Sequence, residues 1–449
     1  MFKSIYPYSG EVVAEYEEDA APLQKVEKAH QVFSTWKNKS LAERQQLIVR
    51  FAEVLEYRKL EYAKIISLEM GKLYNEALAE VEKCAITTRY YAEHAPEYIQ
   101  PLVMQSSFPR AYTSFEPMGT ILAIMPWNFP FWQALRCAVP NLLLGNTVVL
   151  KHASNVMGSA LKMQEAFLEA GFPDGAFQAL FLSSDKVEQI IADPRIKGVT
   201  LTGSGPAGSS VASLAGKYLK KSVLELGGSD PFVVLKDANI QLAAETAVKS
   251  RFQNAGQTCI AAKRWIVEED IYDEFKELTL NHVSKLKLGD PFDTQTTLAP
   301  VSREDLAISI EKETNKLIAN GAKALLPTER EGCLLSPTIL EITRSHSAYY
   351  KEELFGPVGF LLKAKNTTEA IEIANETPFG LGASLWTQNM EQAAGLMRQI
   401  QAGSVYLNSM VKSEGALPFG GIGDSGYGRE LGKYGIQEFA NVKTYAIQI

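Results

Sequence analysis

Apolar residues recur along the chain with two different periods, and each period predicts a different kind of element. In the first hundred residues they recur every three or four positions with charged residues between them, a spacing typical of amphipathic helices. From Thr147 onward, short β-branched apolar runs alternate with amphipathic segments, which predicts strands alternating with helices. The helices predicted in the first part span residues 21–36, 41–57 and 74–94.

The alternating part divides into two series, and the boundary between them falls near Gly227 and Gly228. The strands are too uniformly apolar to have one face in water, so each series predicts a parallel sheet covered by helices on both sides. In the first series we predict strands at 147–151, 177–182, 198–202 and 222–226, and helices at 157–170, 187–192 and 207–219. In the second we predict strands at 265–267, 338–341 and 360–363, and helices at 271–288, 305–320, 368–375 and 390–399.

The closing segment, residues 443–449, also has the pattern of a strand. An exposed strand edge is usually paired with another chain, so we expect a partner subunit there. The chain should therefore be a homodimer or a homotetramer.

Composition excludes several classes of function. A net charge of −7 gives no basic surface for nucleic acid or an anionic membrane, and the apolar stretch 119–145 is broken by prolines and Arg136. The four cysteines are far apart and histidines are few, which argues against disulfides and against a metal site. The N-terminus lacks the apolar core of a signal peptide, so we expect a cytoplasmic protein.

Three residues form a candidate set for carbonyl chemistry. Cys259 follows a glycine-containing turn among small and amide side chains, the kind of surroundings in which a thiolate can form. By itself it could equally be a buried apolar filler. Glu225 and Asn128 add a carboxylate that can accept a proton and an amide that can donate a hydrogen bond.

A literal GxGxxG spans Gly203 to Gly208, follows a predicted strand and opens a predicted helix. Such a turn suits a phosphate, because free backbone N–H groups point out of the helix end. The pattern also leaves the role of Glu225 open. It lies seventeen residues after Gly208, where a dinucleotide fold places a ribose ligand, but it could equally be a catalytic base.

Five motifs follow one another along nearly the whole chain, and three of them contain Asn128, Glu225 and Cys259. They are Pro126-Trp-Asn-Phe-Pro130, Glu225-Leu-Gly-Gly228, Gly256-Gln-Thr-Cys259, Glu353-Leu-Phe-Gly-Pro357 and Pro418-Phe-Gly-Gly421 with Ser425-Gly-Tyr-Gly-Arg-Glu430. Together, in this order, they resemble the motifs of the aldehyde dehydrogenases. The resemblance implies an α/β fold with two Rossmann-like parallel-sheet domains and a small β extension for oligomerisation. It assigns residues 1–98 and 118–227 to the cofactor-binding domain, 228–425 to the catalytic domain, and 99–117 and 436–449 to the oligomerisation strands.

The resemblance also assigns roles to these residues. Cys259 becomes the nucleophile that forms a thiohemiacetal and then a thioester, Glu225 the general base, and Asn128 a donor to the oxyanion. NAD or NADP is the implied cofactor. Its implied contacts are Trp127, Lys151, Ser154, Gly203, Ser204, Glu353 and Phe355. Members committed to NAD often carry glutamate where this chain has Ser154, and loss of that repulsion should admit NADP.

The substrate is implied less strictly. The chain looks similar to a bacterial subgroup of succinate-semialdehyde dehydrogenases, whose substrate carries a carboxylate that calls for a fixed cation. Arg136 matches that cation, although a structural salt bridge is an alternative role for it. Other implied substrate contacts are Gln253, Ser413 and Phe419, and Gln253 replaces a second arginine that some relatives have. Oxidation of another aliphatic or aromatic aldehyde, a CoA-acylating reaction and a catalytically silent binding protein remain alternatives.

Overall fold

The computed structural model describes residues 1–346 and 352–448. It begins with an antiparallel pair of strands, which corrects our prediction that the first hundred residues contain only helices. These strands are short and partly exposed, so their apolar residues are too few to show a strand period in the sequence. The elements of this region are β1 (Phe2–Ile5), β2 (Val12–Tyr16), α1 (Pro22–Trp36), α2 (Leu41–Tyr57), α3 (Lys59–Met70) and α4 (Tyr74–Tyr98). Helix α3 was also missed, because its buried side chains include Ser67 and Glu69 and form no clean apolar stripe.

The first sheet has six strands in the order β21-β9-β8-β5-β6-β7, and all of its pairings are parallel except that of β21. Its strands are β5 (Thr120–Met125), β6 (Thr147–His152), β7 (Phe177–Leu180), β8 (Ile196–Thr202), β9 (Lys221–Glu225) and β21 (Gly426–Tyr427). Its helices are α5 (Pro130–Leu144), α6 (Met157–Glu169), α7 (Val187–Ala192) and α8 (Gly205–Lys217). The predicted strands and helices of the first series are confirmed to within three residues at their ends. The central strand β5 was missed, since its apolar run continues almost directly into the fully buried helix α5.

The second sheet has seven strands in the order β12-β15-β16-β11-β10-β18-β19. Its strands are β10 (Pro231–Val234), β11 (Arg264–Glu268), β12 (Lys323–Ala324), β15 (Thr338–Ile342), β16 (Val358–Ala364), β18 (Gly382–Trp386) and β19 (Ser404–Leu407). Its helices are α9 (Ile240–Phe252), α10 (Tyr272–Val283), α11 (Glu304–Ala319), α12 (Thr367–Asn375) and α13 (Met390–Met397). The predicted elements of the second series are confirmed. Strands β10, β12, β18 and β19 and helix α9 were not predicted.

A third, smaller sheet pairs β22 (Ala440–Ile447) with β4 (Arg110–Pro117) and β4 with β3 (Leu102–Val103), all antiparallel. The predicted C-terminal strand is therefore confirmed, and it lies at an edge of this sheet. Helix α14 (Gly432–Glu438) precedes it. Two small antiparallel pairs are also present: β13 (Arg330–Glu331) with β14 (Leu334–Leu335), and β17 (Phe379–Gly380) with β20 (Ile422–Gly423).

The two large sheets are joined where β9 ends and β10 begins, across residues 226–230. This α/β architecture with two parallel-sheet units confirms the predicted fold class. In the described part of the chain, no helix is both long and apolar enough to span a membrane. Ligands of open parallel sheets bind beyond the carboxyl ends of the strands, so the side chains that follow β5, β6, β8 and β9 define the region of interest.

Candidate active site

Asn128 lies in the short loop between β5 and α5, and a buried carboxylate holds the start of that helix. Glu80 Oε1 accepts hydrogen bonds from the backbone N–H groups of Phe131 at 2.9 Å and Trp132 at 3.0 Å. The first N–H groups of a helix have no partner within it, and a negative charge there is stabilised by the helix dipole. The direction of α5, and with it the loop that carries Asn128, is therefore fixed from α4.

Lys72 also holds the loop that carries Asn128. Its ammonium pairs with Glu80, donates to the Asn128 carbonyl at 2.9 Å and lies 3.7 Å from the centroid of the Phe129 ring. Lys72 and Glu80 side chains are each only 1% exposed. Because both charges are buried and satisfied by each other and by backbone groups, this pair is a rigid support for the loop.

The turn before Cys259 is held in an unusual backbone conformation. Asn254 and Ala255 have φ values of +54° and +53°, and Gly256 has +71°. A Cβ on Gly256 would lie 2.3 Å from the carbonyl oxygen of Gly356, so only glycine fits there. Non-glycine residues at positive φ cost free energy, and such strain is retained where surrounding contacts impose it.

Amide groups supply those contacts and join the Asn128 loop to the Cys259 turn. The Asn254 side-chain amide donates to the Asn128 carbonyl at 2.9 Å, and the Asn128 side-chain amide donates to the Gln257 carbonyl at 3.0 Å. Gln257 is two residues before Cys259. The structure thus brings Asn128 beside the cysteine turn, and an amide nitrogen carries a second N–H that can serve a ligand.

The thiol of Cys259 lines a cavity of about 140 Å³ and is partly accessible from it, although protein atoms surround it densely on its other sides. Burial raises the pKa of this thiol to about 11, and the nearby cations of Arg136 and Lys263 oppose that rise. Lys263 donates to the Cys259 carbonyl at 2.6 Å and pairs with Glu353 at 3.0 Å. Near neutral pH the sulfur is mainly protonated, so its attack on a carbonyl requires loss of that proton.

Glu225 is the last residue of β9, and its carboxyl group is buried. Neither oxygen has a hydrogen-bond partner among the residues that the structure describes. Burial raises the pKa of Glu225 well above its usual value, Arg136 lowers it and Glu430 raises it further. Space for the carboxyl group comes from Gly420, where a Cβ would lie 2.7 Å from Glu225 Oε1. A buried carboxyl group with free oxygens suits a base that acts on water.

Arg136 lies on α5 and faces both the cavity and a buried carboxylate. Its guanidinium pairs with Glu430, donates to Thr202 Oγ1 at 3.2 Å and lies 4.9 Å from the centroid of the Phe419 ring. The salt bridge that we kept as an alternative role is therefore present. Arg136 is also one of the residues that line the cavity, so the two roles are compatible in position.

The predicted substrate residues come together around this cavity. Its walls include Arg136, Gln253, Cys259, Ser413 and Phe419. One further wall residue, Lys83 of α4, was missed by the sequence analysis. It lies in an ordinary amphipathic helix, and no motif surrounds it. Only the packing of α4 against α5 reveals that it reaches the cavity.

The predicted cofactor residues lie beyond the strand ends. Lys151 is near the end of β6, and its ammonium has no partner among the described residues, while burial lowers its pKa. Ser204 precedes α8 without capping it by its side chain, and a Cβ on Gly205 would meet nothing within 4 Å. Ser154 is exposed. A free buried cation and an open helix start fit the phosphates of a dinucleotide.

The remaining cofactor candidates lie near the junction between the two sheets. Trp127 and Phe355 form an edge-to-face pair with ring centroids 5.9 Å apart. Glu353 Oε1 accepts from the Gly228 N–H at 3.3 Å. A Cβ on Gly227 would lie 2.1 Å from Glu353 Oε2, so that glycine admits the carboxylate.

Comparison with known proteins adds the family. The model of the aldehyde dehydrogenase family matches residues 1–445. The chain is 45% identical over 423 residues to a probable succinate-semialdehyde dehydrogenase [NADP(+)] of Synechocystis sp., covering 94% of this chain and 93% of the relative. It is 43% identical over 456 residues to succinate-semialdehyde dehydrogenase [NADP(+)] 1 of Mycobacterium bovis, covering 98% of each.

Solved structures agree with this assignment. A crystal structure of succinic semialdehyde dehydrogenase from Streptococcus pyogenes, in complex with NADP+, matches with a TM-score of 0.97 at 39% identity and covers 100% of both chains. The match extends across both large sheets and the small one. The chain therefore belongs to the aldehyde dehydrogenase family.

Proposed function

We propose that this aldehyde dehydrogenase oxidises succinate semialdehyde, or a closely similar short semialdehyde, to the corresponding dicarboxylate with NADP as the preferred cofactor. The observation that carries the proposal is a single cavity of about 140 Å³ whose walls include Cys259, Arg136 and Ser413. A nucleophile and groups that bind a carboxylate thus share a small space. The relatives named above support the same substrate.

The first half of the reaction follows from the groups around Cys259. The Cys259 thiol loses its proton to solvent and the thiolate attacks the aldehyde carbon. The Asn128 amide, with the backbone N–H of Cys259, stabilises the resulting oxyanion. One such donor contributes roughly 3 kcal/mol. Held by the cofactor residues named below, the nicotinamide would supply the hydride acceptor for the step that leaves a thioester on Cys259. Cys259 then holds the acyl group while the second half proceeds.

The second half requires a base, and Glu225 has the right surroundings for that role. Its free oxygens accept a proton from water, which attacks the thioester carbonyl and releases the acid and the Cys259 thiolate. In sum, aldehyde, water and oxidised cofactor give carboxylate, reduced cofactor and two protons. Transfer of the acyl group to a thiol such as CoA would need no carboxylate here, so Glu225 favours hydrolysis.

The preference for NADP rests on two residues near the end of β6. The free ammonium of Lys151 can meet the ribose and its 2′-phosphate, and Ser154 presents no carboxylate that would repel this phosphate. Trp127, Gly203, Ser204, Glu353 and Phe355 form the rest of the proposed cofactor contacts. A Ser154→Glu variant tests this part, since it should shift the preference toward NAD.

We extend the proposal to assembly and location. β22 lies at the edge of the three-stranded sheet, which suits pairing with a second copy in a homodimer or homotetramer. All four cysteines are unpaired, as expected of a protein in the reducing cytoplasm.

The proposed function is tested by steady-state kinetics of the purified chain. Succinate semialdehyde, butanal and benzaldehyde are compared with NADP and with NAD, in the absence of CoA. We expect the highest kcat/KM for succinate semialdehyde with NADP, with succinate as product, and an advantage over butanal of roughly ten- to a hundredfold from the carboxylate contacts. Equal kcat/KM values for butanal and succinate semialdehyde would contradict the proposal that the substrate carries a carboxylate. If no aldehyde led to reduced cofactor, the chain would be a catalytically silent binding protein.

A further inference from the structure

Lys83 is a cation in the cavity wall that none of the motifs identified. It projects from the middle of α4, is partly buried and lines the same cavity as Cys259. Its Nζ lies 3.9 Å from the centroid of the Trp132 ring and donates to Ser413 Oγ at 2.7 Å. Ordering a lysine against a ring and a hydroxyl costs side-chain entropy, which suggests a defined position for its charge.

No carboxylate among the described residues lies within ion-pair distance of Lys83. The acidic residues close to it on its own helix are committed elsewhere: Glu80 to Lys72 and to the start of α5, and Glu82 to Lys59. A partly buried cation without an opposite charge is unfavourable in the empty cavity, and an anionic ligand would remove that cost. The charge of Arg136, in contrast, is already shared with Glu430.

Ser413 completes a pair of donors. Its oxygen accepts from Lys83, so its own O–H must point elsewhere, and no described residue receives it. An ammonium has two further N–H groups beyond the one given to Ser413. Together, the two side chains offer donors and one positive charge to a carboxylate in the cavity.

We propose that Lys83, acting with Ser413, binds the carboxylate of the substrate and is the second cationic anchor of the cavity beside Arg136. The proposal rests on the proposed function, because it names the residue that meets the carboxylate of a semialdehyde. Lys83 would also supply the second positive charge that some relatives provide with an arginine at the position of Gln253. Lys83 thereby determines specificity and takes no part in the bond-breaking steps.

The test compares two substrates in a Lys83→Met variant. Methionine keeps the length of the side chain and its packing on Trp132 but removes the charge. We expect the ratio of kcat/KM for succinate semialdehyde to that for butanal to fall roughly ten- to a hundredfold, mainly through KM, since a hydrogen bond to a charged group is lost. Lys83→Arg should restore much of the ratio. A general folding defect would lower both substrates alike and leave the ratio unchanged.

Lys412→Met is the matched control. Lys412 lines the rim of the same cavity, but it is exposed and pairs with Glu414 at 2.5 Å. We expect its neutralisation to change the ratio by no more than about threefold, as for an exposed ion pair. An unchanged ratio in Lys83→Met, with wild-type chain still favouring succinate semialdehyde, would overturn the role of Lys83 alone. A wild-type ratio near one would overturn the proposed function instead.

The wild-type chain offers a second measurement that needs no variant. Burial lowers the pKa of Lys83 to about 8. Among the charged and titratable groups near it, Arg136 lowers this pKa further, whereas Cys84, Glu80 and Cys259 raise it. Below that pH the ammonium is charged, and above it the charge is lost. The KM for succinate semialdehyde should therefore rise between pH 7 and 9 while that for butanal changes little. Parallel profiles for the two substrates would contradict the proposal.

Discussion

Two lysines lie in similar positions beside the start of α5. One of them has a carboxylate partner, and the other has none among the described residues. Lys72 lies 3.7 Å from the centroid of the Phe129 ring, and Lys83 lies 3.9 Å from that of Trp132. Lys72 is compensated by the carboxylate of Glu80 and by the Asn128 carbonyl, whereas among the described residues the hydrogen-bond partner of Lys83 is the neutral hydroxyl of Ser413. The difference separates the side of the helix start that supports the site from the side on which we propose that a ligand binds.

The same contrast holds for the neighbouring polar groups. On the supporting side, the Asn254 amide donates to two backbone carbonyls. In the proposed catalytic set, both oxygens of Glu225 lack a partner among the described residues, and burial raises the pKa of the Cys259 thiol. Buried polar groups without partners cost stability. The free oxygens of Glu225 therefore carry a cost in stability that a bound water or substrate would relieve.

Cys259→Ala should give the largest loss of activity and is the strongest test of this contrast. Removing the nucleophile should lower kcat by an amount of the order of 10⁵-fold. Binding of NADP, measured by fluorescence titration, and the thermal midpoint should change little, because the thiol supports no other group. Substantial residual turnover would refute Cys259 as the nucleophile. A large loss of stability would instead mean that Cys259 supports the structure of the site.

Glu225→Gln should give the next largest effect, and it should fall on one half-reaction. Loss of a general base typically costs about 10²–10⁴-fold in steady-state rate. A rapid burst of reduced cofactor equal to the enzyme concentration should remain, because thioester formation does not need this carboxylate. Stopped-flow absorbance at 340 nm measures both phases. Normal turnover of the variant would exclude Glu225 as the base.

Lys72→Met should have the opposite signature, with stability affected more than chemistry. Breaking a buried ion pair costs about 3–5 kcal/mol, because the remaining charge of Glu80 is left uncompensated. Urea denaturation should show this loss, and the double variant Lys72→Met/Glu80→Gln should recover part of it. Unchanged stability in the single variant would mean that the two lysines do not differ as described.

Much of the fold was predictable because it is encoded locally. Alternating strands and helices have different hydrophobic periods, and the two series from β6 to β9 and from β11 to α13 were found from them. The errors occur where the local signal is absent. Strand β5 merges with an apolar helix, β1 and β2 are too short and exposed, and α3 buries Ser67 and Glu69.

The amino-acid sequence by itself determined the types of element and the chemistry available at Cys259, Glu225 and Asn128, since hydrophobic period and side-chain identity are local properties. Only the tertiary structure decided which charges are compensated. That property depends on distances between residues far apart in the chain, such as Lys83 and Ser413 or Arg136 and Glu430. No motif contains such distances, and they separate a supporting lysine from one that is free to bind a substrate.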